Sequence, residues 1–185
     1  MIDMTEFGRT FLGAMGVALL LSGCVDNIPQ QSRPCPPVMV LQDAAYLTRF
    51  AGESEDLAET SFEARIARSQ SMCTYLIDTD TGQTSIRTNL SVEFAASRGP
   101  ANAESAAKFD YWIRITGPGG QHMPGDQSLD VEIPFTAAKV QGVAQDEVEI
   151  LLPLRKGENG EFYRINIGLA VSEKELAFNR RNPQF

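Results

Sequence analysis

The side chains best equipped for chemistry in this 185-residue chain are one histidine, His122, three cysteines, Cys24, Cys35 and Cys73, and several closely spaced carboxylates. His122 lies in the stretch GPGGQHMPGD, a loop by composition, where it could act as a general base with Asp126 nearby. Such a base needs a nucleophile to activate and donors for an oxyanion, and the sequence has neither a G-x-S-x-G elbow nor a Cys-His arrangement. A solvated hairpin tip is the simpler reading. Asp78 and Asp80 match the first two acids of a calcium loop, but Gly82 comes one place early and no glutamate follows at the twelfth position, so a charged turn is expected. Glu53, Glu55 and Asp56 could be read as glycosidase acids, but the separation that matters there is spatial and cannot be read from spacing. One imidazole and three thiols without the usual spacings do not make a metal centre, and no phosphate-cradling glycine motif is present. The expectation is a protein with no catalytic residue and no metal.

Composition narrows the class further. With 43% hydrophobic and 22% charged residues the chain fits one folded domain, not a disordered, collagenous or multi-span membrane protein. A formal net charge of -8 and the lack of any Lys/Arg-rich run remove the electrostatic footprint that nucleic acid requires.

The N-terminus carries a more specific signal. Phe11 to Leu21 reads FLGAMGVALLL, preceded by Arg9 and followed by Ser22, Gly23 and Cys24. A bilayer span needs about 20 apolar residues. This run is shorter and has the length of a signal-peptide core, although a buried helix ending in an ordinary core thiol is the alternative. Leu21-Ser22-Gly23-Cys24 resembles a lipobox, the motif of bacterial lipoprotein precursors. The resemblance implies that residues 1–23 are a signal peptide, that Cys24 receives a diacylglycerol thioether, and that this covalent lipid holds the mature chain on a bilayer, since two or three acyl chains anchor stably where one does not. It also implies a periplasm-facing protein of the cell envelope. Val25, where an aspartate is the familiar signal for inner-membrane retention, leans towards the outer membrane.

Given lipidation of Cys24, the cysteine count resolves. Cys35 and Cys73 are then the remaining two thiols in an oxidising compartment and are expected to form a disulfide, with two inert buried thiols as the alternative. Neither belongs to a C-x-x-C motif or sits beside a basic residue, which argues against a redox-active pair. Residues 24–37, polar and rich in proline, read as a lipidated tether.

From residue 38 to 185 the dominant pattern is alternation. Val38 to Leu41 is a candidate first strand, and the segment that follows, QDAAYLTRFAGESEDLAE, reads as a helical turn or a long loop. Period-two apolar series then run over 62–66, 86–94, 109–115, 129–135, 148–154 and 163–171, with charged or polar residues such as Arg87, Asp110 and Glu149 between them. Glycine- and proline-rich turns separate the runs, and no crossover helices are available for a parallel sheet. The pattern predicts an all-β, antiparallel two-sheet sandwich of about seven strands, immunoglobulin- or fibronectin-like, though without the Cys-Trp-Cys spacing of antibody domains. Ser172-x-x-Glu175 is a capping box for a short C-terminal helical turn, with Arg180 and Arg181 near its negative end. The mature chain also resembles the uncharacterised β-rich lipoproteins of alphaproteobacteria.

If Tyr111 faces the core, its neighbour Trp112 must face outward, which makes Trp112 a candidate partner contact unless a loop or the C-terminal segment covers it. The function expected is non-enzymatic: a membrane-anchored structural or protein-interaction component with an envelope protein as partner. Alternatives are a small-molecule or lipid carrier and, further off, a hydrolase built on His122.

Overall fold

The computed structural model describes residues 33–183. Its strands are β1 (Val38–Val40), β2 (Tyr46–Phe50), β3 (Thr60–Ile77), β4 (Thr84–Arg98), β5 (Ala106–Thr116), β6 (Gln127–Pro134), β7 (Gln141–Pro153) and β8 (Arg164–Leu169), followed by helix α1 (Glu173–Arg181). They form two four-stranded sheets, ordered β1-β8-β5-β6 and β2-β3-β4-β7. All pairings are antiparallel except that of β1 with β8. The chain is thus the all-β two-sheet sandwich that the alternation predicts, with one short C-terminal helix. The grouping of strands is not the ABED/CFG order of immunoglobulin constant domains, because three consecutive strands, β2, β3 and β4, stay in one sheet.

Burial explains the pattern. Ile86, Leu90, Val92 and Phe94 on β4 and Phe109, Tyr111, Ile113 and Ile115 on β5 are all buried, and they meet across the sandwich. Phe94 is the centre of an aromatic cluster, 4.8 Å from the ring of Tyr111 and 5.8 Å from that of Phe109. Each such side chain contributes roughly 1.5–3 kcal/mol by leaving water. The buried side chains of both sheets pack into one core cluster between them.

Two elements differ from expectation. Residues 46–50, read as a turn or loop, form the edge strand β2, which pairs with the first half of β3 from Tyr46↔Arg65 to Phe50↔Thr60. The helix-compatible residues around it form only short 3₁₀ turns, Gln42–Ala44 and Leu57–Glu59. Strand β3 also continues to Ile77, well past Ile66 where the apolar series stops. A register shift between Ile66 and Arg68 puts an extra residue into β3, and beyond it the inward positions are Ser69, Ser71, Cys73 and Tyr75. The described sandwich therefore has eight strands instead of seven.

Helix α1 is fixed by one carboxylate used twice. Glu175 Oε2 accepts the backbone N–H and the hydroxyl of Ser172, both at 2.8 Å, completing the capping box, while Oε1 accepts Arg49 Nε of β2 at 2.7 Å. Phe178 packs edge-on against Phe50, with ring centroids 5.2 Å apart. Asn179 Nδ2 donates to the carbonyls of Asp43 and Tyr46. Arg180 and Arg181, beyond easing the helix dipole, pair with Asp43 at 2.8 Å and Glu55 at 2.6 Å. Replacing Ser172 with Ala is expected to cost about 1 kcal/mol in urea denaturation. Glu175→Ala should cost more, because it removes the cap and the Arg49 pair together; equal losses would contradict the shared role.

Candidate functional site

The start of the described chain is held against the sandwich by a compact set of contacts. Cys35, in the lead-in to β1, is disulfide-bonded to Cys73 in β3, with Cα atoms 5.7 Å apart. The bond joins the edge of one sheet to a strand of the other. Closing its loop of 38 residues is worth about 4 kcal/mol in the chain-entropy model. Two residues further along β3, the Tyr75 hydroxyl donates to the Pro34 carbonyl at 2.7 Å and accepts the Gly160 N–H at 2.8 Å. The Arg33 guanidinium lies over the Tyr75 ring, 5.2 Å from its centroid, and the Pro37 carbonyl accepts the Ile165 N–H at 3.0 Å. Gly160 has to be glycine: a Cβ there would stand 2.2 Å from the Pro34 carbonyl oxygen. Residues 33–37, expected as tether, are fastened to the folded unit. Cys24 lies outside the described residues.

Trp112 sits on the outer face of its sheet and is half-buried. Its Nε1 donates to the Leu169 carbonyl at 3.2 Å, the Arg114 guanidinium lies 5.1 Å from its ring centroid, and Gly168 leaves room beneath it. The ring lines a shallow depression with Leu41, Ala44, Val171 and Leu176, so the C-terminal segment covers part of it and the rest is open.

The other candidates are dispersed. His122 is exposed, and its Nδ1 is 4.0 Å from Asp126, too far for a hydrogen bond; Asp126 instead accepts the Ile115 N–H at 3.0 Å. The Asp78 carboxylate accepts the N–H groups of Thr81 and Asp80, which hold its pKa below the usual carboxylate value and make it the organiser of its own turn. Glu55 pairs with Arg181, and Asp56 caps the turn at Leu57–Glu59. Among the described residues no group of three or more His, Cys, Asp or Glu side chains is placed to hold a metal ion, and no helix is long and apolar enough to cross a membrane.

The titrating pairs that the sequence reading missed are both tyrosine with carboxylate. Tyr111, fully buried, donates to Asp146 Oδ2 at 2.9 Å, and burial followed by that carboxylate pushes its phenol far above the ordinary value. Asp146 lies in phase with the buried Val148, Ile150 and Leu152 of β7, and an acid in an inward register is the sequence signal for such a pair. Tyr163 donates to Glu158 at 2.7 Å, and burial, then the carboxylate, pushes it up to about 12. The Tyr163 hydroxyl and the Arg155 N–H in turn hold Glu158 below its ordinary value. No family model, curated protein or solved structure matches the chain.

A phenol whose pKa is raised by folding stabilises the fold while it keeps its proton. That contribution is complete below the unfolded value of about 10 and is lost as pH rises through the folded one. Urea midpoints are therefore expected to fall from about pH 10 upward, and Tyr163→Phe should flatten the slope towards pH 12. A pH-independent midpoint would contradict this. Gly168→Ala would put a Cβ 2.4 Å from Trp112 Cζ2. It is expected to cost about 1–3 kcal/mol and to shift the emission of this single tryptophan to the red.

Proposed function

We propose that the protein is a lipid-anchored component of the bacterial cell envelope, attached through Cys24, facing the periplasm, and acting by binding other envelope components without an enzymatic step. The observation that carries this reading is the Cys35–Cys73 disulfide. It uses two of the three thiols, it belongs to an oxidising compartment, and it leaves Cys24, at the end of Leu21-Ser22-Gly23-Cys24 and eleven uncharged residues, as the cysteine available for acylation. Among the described residues, His122 stands 4.0 Å from Asp126, Asp78 organises its own turn and Glu55 pairs with Arg181 of the helix. The Trp112 depression is the favoured contact for a protein partner, since tryptophan and arginine side by side are typical interface anchors. The anchor is assigned to the outer membrane, with Val25 after Cys24 as its support.

Intact mass of the protein extracted from bacterial membranes, before and after reduction and alkylation, tests the reading beside a Cys24→Ala variant. The expected species begins at Cys24, carries two or three acyl chains, and exposes two thiols only on reduction. An unacylated full-length chain with three free thiols would overturn it.

A further inference from the structure

The sheet face next to the tether exit carries an apolar patch. Along β3 beyond Arg65, among the described residues, no strand lies outside it, since β2 pairs only with its first half. There Met72 is 75% exposed and Leu151, two strands away on β7, is 57% exposed. Register places both on the outer face: Met72 is opposite Asn89, Leu76 opposite Ser85, and Leu151 opposite Arg87. Between them the outer positions of β4 are Ser85, Arg87 and Asn89. The charges within it are matched, because Arg87 pairs with Glu149 at 3.4 Å.

The neighbouring hollow at the end of the same hairpin is lined by Tyr75, Thr84 and Leu154, and its charged residues are Arg33, Arg155 and Lys156 against Glu158 alone. That is a local cationic excess in a chain of net charge -8. Glu158 stays charged while accepting the Tyr163 hydroxyl and the Arg155 N–H, so the lining carries three cations against one carboxylate, with Asp78 on the adjoining turn.

Chain length says what this surface meets. Arg33 is held on Tyr75, in the same strand as Met72 and Leu76, and only the eight residues 25–32 lie between it and Cys24. Even fully extended they reach only about 30 Å. An acylated Cys24 therefore keeps patch and hollow close to the bilayer at high effective concentration, where weak affinity is enough. We propose that the outer face around Met72, Leu76 and Leu151, with the hollow of Arg33, Arg155 and Lys156, is a docking surface for phospholipid: the apolar side chains enter the headgroup region and the cations meet lipid phosphate. This rests on the anchoring through Cys24 proposed above. It gives the domain a fixed orientation, with the outer face of the lower β3–β4–β7 sheet turned towards the membrane.

The methionines of the native chain test it. The membrane-extracted protein is reconstituted into phosphatidylethanolamine–phosphatidylglycerol vesicles, and its mass reports the acyl chains first, so failure of the anchoring reading appears there and nowhere else. Oxidation by chloramine-T, which is water-soluble, is then followed at Met72 and at Met39, which is 44% exposed on the other sheet. Met72 is expected to oxidise several-fold more slowly in vesicles than in the soluble Cys24→Ala chain, with Met39 unchanged. Equal Met72 rates in an acylated sample would overturn the proposal. Protection of Met72 in the soluble chain, accompanied by dimer in sedimentation, would overturn it in favour of a second copy.

Discussion

The architecture depends on the way the chain enters it. Cys35 is joined to Cys73 across the edge of the sandwich, so the lead-in to β1 belongs to one sheet by hydrogen bonding and to the other by covalent bond. β1 has only three residues and pairs on one side with β8, too little backbone to hold an edge strand alone. Tyr75, Gly160 and Pro34 close the remaining polar groups around the bond. Once this corner is fixed, the long β3–β4 hairpin has a partner sheet beneath its lower half, where β3 turns Ser69, Ser71, Cys73 and Tyr75 inward and the aliphatics Ile86 and Leu90 come from β4 alone.

The opposite corner is held without a covalent bond. Helix α1 lies against β2 and the loops before and after it through Glu175, Asn179, Arg180 and Arg181, and Phe178 supplies the apolar contact with Phe50. The far edges, β6 and β7, are managed differently. Asp146 projects inward from β7 to Tyr111 and also accepts the Glu147 N–H at 2.8 Å, so one acid blocks the middle of an exposed strand edge. An inward charge on an edge strand is a known safeguard against strand addition. It agrees with partner contacts being sought on the sheet faces.

Much of the fold is legible in the residues because one face of each sheet is dry. The runs at 86–94, 109–115 and 148–154 carry their core residues at every second position, and each becomes the interior face of a long strand. Alternation says nothing where a strand is half exposed: β2 offers only Leu47 as a buried residue to the interior, with Thr48 buried on the opposite face, and β3 past its bulge carries polar inward residues. The disulfide was legible only through the likeness of residues 21–24 to a lipobox, which set Cys24 aside. The role of residues 33–37 was not, since proline and polar composition look alike in a free tether and in a strapped one. Trp112 illustrates the same limit: period two places it outside, but whether Gly168, Leu169 and Val171 cover it depends on the return of the C-terminal segment.

The clamp is tested most directly by hydrogen exchange of the chain with the Cys35–Cys73 bond intact and after reduction. Loss of protection is expected over 33–40 and in the free half of β3, while amides bonded between β4 and β7 and between β5 and β8 stay protected. Unchanged exchange over 33–40 after reduction would contradict the account, because the lead-in would then be held by something other than the bond that joins the sheets.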